Sequence, residues 1–419
     1  MSEYTRIRIR PSRLAGAVKV SGAKNSALRL LAASLLTADS IDLANYPGAL
    51  LDVQIHEEML RALGKRVVRV GKEGITISEP GPIASDLVWE GRSIRNTLLI
   101  LGALLARTGR ASVPLPGGCR LGDRKYDLHV MLLERLGARV WDDGERLHAE
   151  APAGLTGAEI HLPIRSTGAT ENALLAGSLA RGTTRIWNPH IRPEILDLIK
   201  LLRNMGARIR VFGQEHIEVV GVDGLSAAHH VVIADNMEAI TWLAAAVMTD
   251  GDVEISDFPS QDMEVVICHL LAAGAKIFYG DGSVIVRGGA CYPLDISTGP
   301  HPGINSDVQP ILAAWATRAR GQSKIVDLRF PGRYAYAAEM AKMGADARVE
   351  GDFLVIDGGG GGLEGARVRA LDLRAGAALA LCGMVAKGET VIEDAWQIMR
   401  GYNDFIPKLR DLGGQIEEE

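Results

Sequence analysis

Features that mark several common classes of protein are scarce in this 419-residue sequence. The cysteines are scattered, form no CxxC pair and number only four: Cys119, Cys268, Cys291 and Cys382. Their spacing indicates neither a zinc site nor a disulfide framework. The longest apolar runs, such as residues 98–106, are far shorter than the ~20 residues that a membrane-spanning helix needs. Basic residues are in deficit, with a net charge of −5, which argues against a general nucleic-acid binder.

The opening stretch, MSEYTRIRIRPSR, is charged and has no apolar segment of the kind found in secretory signals. Unpaired thiols are typical of a reducing compartment. We therefore expect a cytoplasmic protein without membrane partners. With 47% hydrophobic and 23% charged residues, the chain has a globular composition, and its length predicts two or three domains.

One phrase recurs along the whole chain. Apolar residues at helical spacing lead to a glycine, and an alternating stretch follows, as in LLERLGARVWDD and LLRNMGARIRVF. The central glycines lie about 70 residues apart: Gly64, Gly137, Gly206, Gly274, Gly344 and Gly413. This pattern predicts a helix, a left-handed glycine C-cap and a half-buried strand in each copy.

Between these copies lie helices rich in small residues, such as LLAASLLTADSIDLANYP and ALLAGSLARGTTRIWNP. Such helices are expected to pack inside a domain rather than to bind ligands. The chain is thus predicted to consist of six βαβ-containing units, three to a domain, with the halves meeting near residues 232–235. The GGGGG run at 358–362 lacks the Lys-Ser/Thr of a phosphate loop and is expected to be a surface loop.

Two interruptions of the repeat carry candidate functional groups. In SGAKNSA, Lys24 and Asn25 lie where a loop becomes a helix, which is a natural anion site. Taken alone, however, a lysine at such a position is more often a solvated surface charge. In PLPGGCRLGDRKYDLH, Cys119 lies in a Gly/Pro-rich loop with Arg120 and Arg124 nearby. Positive charge favours the thiolate, so a reactive thiol is favoured there over a structural cysteine.

A third interruption, GPHPGINSDVQP, places Asp307 near the start of a repeat helix. On sequence alone, a helix-capping or first-turn acid is the favoured interpretation, and a general base is the alternative. Single arginines also recur at the edges of repeats, where each could form a surface salt bridge or grip an anion through its planar fork. They are Arg95, Arg333, Arg374 and Arg400.

Taken in order, these segments resemble the enolpyruvyl transferase family, and within it the UDP-N-acetylglucosamine branch. The blocks that carry the resemblance span essentially the whole chain: SGAKNSA, PLPGGC, STGATENALLAGSLARGTT with RPEILD, HPGINSDVQP, DLRAGAAL and IMRGY. The resemblance implies an α/β fold of two inside-out barrel domains built from six βαβαββ repeats. The expected domains are 24–232, and 1–23 plus 233–419.

The resemblance also implies a role for each matching residue. Phosphoenolpyruvate, the enolpyruvyl donor, is expected to be bound by six cations: Lys24, Arg95, Arg124, Arg333, Arg374 and Arg400. Cys119 matches the loop cysteine that protonates the donor methylene or adds to it, and that fosfomycin alkylates. Asp307 matches the residue that takes the proton of the acceptor hydroxyl. The expected acceptor-binding residues are Asn25, Arg124, Lys125, Tyr126, Asp127, Leu128, Ser166, Thr167, Gly168 and Asp307. No metal or redox cofactor is implied.

Several acceptor-side positions depart from the family pattern. RKYDLH stands where an RPVDLH-like stretch is expected, INSD replaces FPTD, GRYAY replaces an NRFMH-like segment, and ADNME replaces a PDRIE-like hinge. Donor-side groups are kept while acceptor contacts change, as a changed acceptor would produce. The expected acceptor is UDP-N-acetylglucosamine, and the alternative is UMP or another uridine nucleotide. A non-catalytic nucleotide-binding paralogue and an RNA-terminal-phosphate cyclase are the alternatives from other classes.

Overall fold

The computed structural model describes residues 6–117, 125–359 and 362–419. The strands in these ranges are β1 Ile7–Arg10, β2 Ala15–Lys19, β3 Ile41–Ala44, β4 Arg66–Val70, β5 Gly74–Ser78, β6 Arg110–Pro114, β7 Arg139–Asp142, β8 Arg146–Glu150, β9 Glu159–His161, β10 Thr183–Trp187, β11 Arg208–Phe212, β12 His216–Val220, β13 Ala228–Val231, β14 Asp252–Ser256, β15 Lys276–Tyr279, β16 Ser283–Arg287, β17 Asp295–Ser297, β18 Gln322–Val326, β19 Asp346–Glu350, β20 Phe353–Asp357, β21 Arg367–Arg369, β22 Thr390–Glu393 and β23 Gln415–Glu418.

The helices in the same ranges are α1 Lys24–Ala33, α2 Leu51–Ala62, α3 Thr97–Thr108, α4 Asp127–Arg135, α5 Thr167–Ser178, α6 Pro193–Asn204, α7 Asn236–Met248, α8 Glu264–Ala272, α9 Gln309–Ala316, α10 Tyr336–Lys342, α11 Leu373–Val385, α12 Trp396–Met399 and α13 Phe405–Asp411. Across the described residues, no helix combines the length and apolar character that crossing a membrane requires.

The chain divides into two compact units. The 22–233 unit comprises Gly22–Gly48 and Asp52–Ile233, and the 234–419 unit comprises Ala234–Glu419 together with Ala49–Leu51 and the residues up to Ser21. Each unit contains three sheets. Those of the 22–233 unit have the strand orders β13-β3-β5-β4, β6-β8-β7 and β9-β10-β12-β11. Those of the 234–419 unit have the orders β2-β14-β16-β15, β17-β18-β20-β19 and β21-β22-β1-β23.

All six sheets share one arrangement. A short edge strand pairs in parallel with its neighbour, as β9 does with β10, and the next two pairings are antiparallel. In the β6 sheet the parallel edge is an isolated bridge between Asp86 and Ser112. The six repeats predicted from the glycine phrase are thus confirmed as six equivalent sheets. The chain reaches the last sheet by an unusual route, because β1 lies between β22 and β23.

The repeat glycines perform the predicted task. All six have positive φ, from 84° at Gly344 to 105° at Gly206, a conformation that residues with a Cβ rarely adopt. The small-residue helices occupy the core of each unit. Every residue of α7 is buried, as are all but one of α11, as expected for helices that are apolar on all sides.

Candidate active site

The ends of three core helices converge in the 234–419 unit. Asp235 caps α7 by accepting from the backbone N–H of Met237 at 2.8 Å. Asp372 caps α11 and accepts from the backbone N–H of Arg374 at 2.8 Å. The charges of Asp235, at the start of α7, and of Asp307, just before α9, both act on Arg374 in the first turn of α11. Helix N-termini and a buried cation together favour the binding of an anion.

Asp307 is paired with Arg333. The Arg333 Nη1 donates to Asp307 Oδ1 at 3.0 Å, and its Nη2 lies 3.5 Å from Asp372 Oδ2. Burial opposes the charge of Arg333, but the two carboxylates outweigh it and raise its pKa. Val308 occupies the N-cap position of α9, and the first turn of that helix contains no acid. The capping interpretation of Asp307 is therefore wrong.

Arg374 and Arg400 are both buried, with 1% and 6% of their surfaces exposed. The Arg374 guanidinium lies 4.9 Å from the centre of the Tyr402 ring. Burial disfavours its charge, but Tyr402, Asp235 and Asp307 more than compensate and raise its pKa. Arg400, directly after α12, donates to Gln397 Oε1 at 3.0 Å. Neither arginine is the surface salt bridge that the sequence left open.

In the 22–233 unit, Lys24 is the first residue of α1 and Asn25 the second, as predicted. Lys24 is only 7% exposed, so the interpretation as a solvated surface charge is wrong. Its Nζ lies 2.7 Å from Asp52 Oδ2, and Asp52, in the first turn of α2, is equally buried. Lys24 is thus held in a buried position by its ion pair with Asp52.

The segment 125–128 leads into α4. Tyr126 occupies the N-cap position, with Asp127 and Leu128 in the first turn, and the Tyr126 hydroxyl donates to Asp142 Oδ2 at 3.0 Å. Arg95 Nη2 donates to the carbonyl of Lys125 at 2.8 Å. Arg95 thus holds the backbone of a segment predicted to contact the acceptor.

Ser166, Thr167 and Gly168 form the start of α5. Ser166 is the N-cap, its Oγ accepting from the Ala169 N–H at 3.4 Å, and the Thr167 hydroxyl lies 2.8 Å from His190 Nδ1. A Cβ added to Gly168 would lie 3.1 Å from His129 Nε2. A larger residue at position 168 would therefore have to displace the His129 ring by a few tenths of an ångström, so glycine favours the close approach of the starts of α5 and α4.

His129 of α4 contacts Asn172 of α5 and so links these two helices. Its Nδ1 lies 3.1 Å from Asn172 Nδ2, and burial, helped by the charge of Arg95, lowers its pKa to about 3. The imidazole is therefore neutral near pH 7. The sequence analysis predicted a role for neither His129 nor Asp52. The place of His129 on an otherwise apolar face of α4 was an available signal.

Two predicted residues, Cys119 and Arg124, lie outside the described residues. The other predicted residues form two sets. Asp307, Arg333, Arg374 and Arg400 belong to the 234–419 unit. Lys24, Asn25, Arg95, Lys125, Tyr126, Asp127, Leu128, Ser166, Thr167 and Gly168 belong to the 22–233 unit.

Known proteins resemble this chain over nearly its whole length. The family model described as EPSP synthase (3-phosphoshikimate 1-carboxyvinyltransferase) matches residues 9–409. The chain is 41% identical over 409 residues to UDP-N-acetylglucosamine 1-carboxyvinyltransferase 2 of Carboxydothermus hydrogenoformans, covering 97% of each chain. It is 41% identical over 408 residues to UDP-N-acetylglucosamine 1-carboxyvinyltransferase of Corynebacterium jeikeium, again covering 97% of each.

Solved structures agree in fold. The enolpyruvyl transferase NikO from Streptomyces tendae matches with a TM-score of 0.88 and 25% identity, covering 99% of both chains. EPSP synthase from Acinetobacter baumannii matches with a TM-score of 0.77 and 19% identity, covering 99% of this chain and 100% of that one. The fold therefore matches over its whole length.

Proposed function

Because this chain belongs to the EPSP synthase family of carboxyvinyltransferases, we propose that it transfers the enolpyruvyl group of phosphoenolpyruvate to the 3-hydroxyl of UDP-N-acetylglucosamine. It is an enolpyruvyl (carboxyvinyl) transferase. The acceptor is proposed from relatives about 40% identical that carry this acceptor in their names. Peptidoglycan precursor synthesis is the pathway that such a reaction serves.

The observation that carries the proposal is the arrangement around Asp307. A carboxylate that caps no helix lies 3.0 Å from a buried Arg333, and the charge of Asp307 also reaches the buried Arg374. Cations fixed in a dry site stabilise bound anions and developing negative charge. A carboxylate among them is suited to accept a proton from a neutral hydroxyl.

The proposed reaction is an addition followed by an elimination. The acceptor hydroxyl attacks C2 of phosphoenolpyruvate while C3 gains a proton, and Asp307 takes the proton of the hydroxyl. The tetrahedral intermediate then loses phosphate from C2 and returns a proton from the C3 methyl group to the thiolate left at Cys119, which restores the double bond of the enol ether. Cys119 is proposed as the source of the C3 proton, and Lys24, Arg95, Arg124, Arg333, Arg374 and Arg400 as the cations that bind the donor.

A second candidate acceptor is UMP. It is favoured by the changes in the acceptor-side segments. In RKYDLH, for example, the Tyr126 hydroxyl is bonded to Asp142, which fixes an aromatic ring where the family pattern has an aliphatic side chain. A pocket that keeps its phosphate-binding cations but alters its other contacts can change acceptor without changing reaction.

The test is release of phosphate from phosphoenolpyruvate, with mass detection of the product, across UDP-N-acetylglucosamine, UMP, UDP and shikimate 3-phosphate. An enolpyruvyl adduct on UDP-N-acetylglucosamine supports the proposal. An adduct on UMP alone selects the second candidate and makes the altered segments the specificity switch. Phosphate release with none of these acceptors contradicts both.

A further inference from the structure

Buried polar atoms without partners collect in one part of the 234–419 unit. Polar groups inside proteins are almost always hydrogen-bonded, so each exception needs an explanation. Near the starts of α9, α10 and α11, several side-chain atoms have no hydrogen-bond partner among the described residues: Oε1 and Nε2 of Gln309, Nε of Arg333, the hydroxyl of Tyr336, and Nε and Nη1 of Arg374. Of these residues, Gln309 is 0%, Arg374 1% and Tyr336 3% exposed.

Two tyrosines in this region, both buried, differ in one respect. The Tyr334 hydroxyl accepts from the backbone N–H of Asp327 at 2.8 Å and donates to the carbonyl of Asp352, also at 2.8 Å. Tyr336, two residues later, has a hydroxyl with no hydrogen-bond partner in the described ranges 6–117, 125–359 and 362–419. The hydroxyl of Tyr334 therefore stabilises the fold through its hydrogen bonds. Within those ranges, the hydroxyl of Tyr336 makes no hydrogen bond that a phenylalanine would lose.

The surroundings of Tyr336 are charged. Arg333, Asp327 and Asp372 are among the groups that act on its phenol, and burial raises its pKa well above the usual value. The hydroxyl accordingly stays protonated at neutral pH and can donate. Nε of Arg333 and both Nε and Nη1 of Arg374 likewise find no hydrogen-bond partner in the part of the chain that the structure describes. Such a set of donors matches the oxygens of a carboxylate or phosphate.

We infer that Tyr336 is a further substrate-binding residue, whose hydroxyl donates to an anionic oxygen of the ligand held by Arg333 and Arg374. This inference rests on the proposed function, in which these arginines bind phosphoenolpyruvate. The ligand then supplies a partner to a hydroxyl that has none among the residues the structure describes. Binding at this hydroxyl thus adds a hydrogen bond without breaking one inside the protein.

The experiment compares Tyr336→Phe with Tyr334→Phe as the matched control, by thermal unfolding with and without phosphoenolpyruvate and by steady-state kinetics. Without ligand, Tyr336→Phe is expected to unfold at the same temperature as wild type or up to about 4 °C higher, because a costly unpaired group is gone. Its stabilisation by phosphoenolpyruvate shrinks, and its KM for phosphoenolpyruvate rises about tenfold or more. Tyr334→Phe shows the opposite pattern: a lower unfolding temperature and an unchanged KM.

Either of two results overturns the inference. In the first, Tyr336→Phe is less stable than wild type without ligand. In the second, phosphoenolpyruvate raises the unfolding temperature of Tyr336→Phe by the same amount as that of wild type. Inorganic phosphate as a second probe identifies the group contacted. If inorganic phosphate also stabilises wild type more than Tyr336→Phe, the hydroxyl donates to the phosphate group of the ligand. If only phosphoenolpyruvate shows this difference, the hydroxyl donates to the carboxylate. Failure of the proposed function is distinguishable, because wild type then releases no phosphate with any acceptor while the stability comparison is still measured.

Discussion

Asp307 and Arg333 are joined by a hydrogen bond of 3.0 Å between Oδ1 and Nη1, and this pair ties the proposed base to a proposed donor-binding cation. Arg333 also approaches Asp372, the N-cap of α11, at 3.5 Å. The position of the base is therefore set by the same guanidinium that helps to fix the start of a core helix. A substitution at Asp307 tests the base without removing that framework if the new side chain still accepts from Arg333.

Asp307→Asn is such a substitution. It keeps an oxygen for Arg333 but cannot take a proton, so kcat should fall by about 100-fold to 10,000-fold with little change in the KM for phosphoenolpyruvate. Asp346→Asn is the control, because Asp346 is an exposed residue paired with Arg348 at 3.0 Å. Steady-state phosphate release measures both variants. Near-normal turnover in Asp307→Asn would show that Asp307 is not the base.

Lys24→Met should have two separable effects. The substitution removes the ammonium that lies 2.7 Å from the buried Asp52 carboxylate, and removing one partner of a buried ion pair typically costs about 3–5 kcal/mol. The free energy of unfolding in urea should fall accordingly, and turnover should be lost. In the double variant Lys24→Met with Asp52→Asn, much of the stability should return while turnover stays absent. If turnover recovers together with stability in the double variant, Lys24 is needed for the stability of the fold and not for the reaction.

Fosfomycin labelling, followed by mass spectrometry of peptides, tests Cys119. Alkylation requires the thiolate, and burial raises the pKa of Cys291 to about 11 and of Cys382 to about 12. Cys119→Ser should therefore abolish labelling. Cys268→Ser is the control, since Cys268 is exposed and its loss should leave labelling unchanged. Fosfomycin label on another cysteine of the Cys119→Ser variant would show that Cys119 is not the residue that fosfomycin alkylates.

The neutral His129 predicts a pH dependence of stability. Its pKa is lowered from 6.5 to about 3 in the folded protein, chiefly by burial, so between these values the unfolded chain binds a proton that the folded chain does not. The contribution of the neutral His129 to the free energy of unfolding is therefore fully present above pH 6.5 and decreases as the pH falls below that value. In His129→Gln this contribution is absent. The gap in unfolding free energy between wild type and variant should narrow by about 2–3 kcal/mol between pH 7 and pH 4.5.

Denaturant unfolding at several pH values measures that gap. The difference between the two proteins at pH 8 supplies the reference, because there it reflects only lost packing and the lost bond to Asn172. A gap that stays constant from pH 8 to pH 4.5 would contradict a neutral buried imidazole in the folded state.

The periodic features of this protein could be predicted from its sequence. The six glycines marked the helix ends because a positive φ restricts the choice of residue, and the start of α1 at Lys24 followed from its loop-like prefix. Pairings between distant segments were beyond such reasoning. Lys24 looked like a surface charge because Asp52 reaches it only when α2 packs near the start of α1. Asp307 looked like a cap because its partner Arg333 lies 26 residues further along the chain.

Tyr336 illustrates the same limit. Nothing in GRYAY distinguishes its two tyrosines, since both lie at the start of α10, where a buried aromatic residue can pack. The difference lies in the partners: Asp327 and Asp352 meet the hydroxyl of Tyr334, and both come from elements outside the segment. Hydrogen-bond satisfaction is a property of three-dimensional packing and becomes visible only in the structure.

The route of β1 has a consequence for synthesis on the ribosome. All strands of the 22–233 unit have been made once residue 231 is added, so that unit can complete its sheets early. β1 is synthesised well before its partner strands β22 and β23. Until both partners have been made, Ile7 and Ile9, each 0% exposed in the folded protein, cannot be buried in their sheet. The nascent chain therefore carries an unpaired strand through most of its translation, an interval in which chaperone binding or misassociation competes with folding.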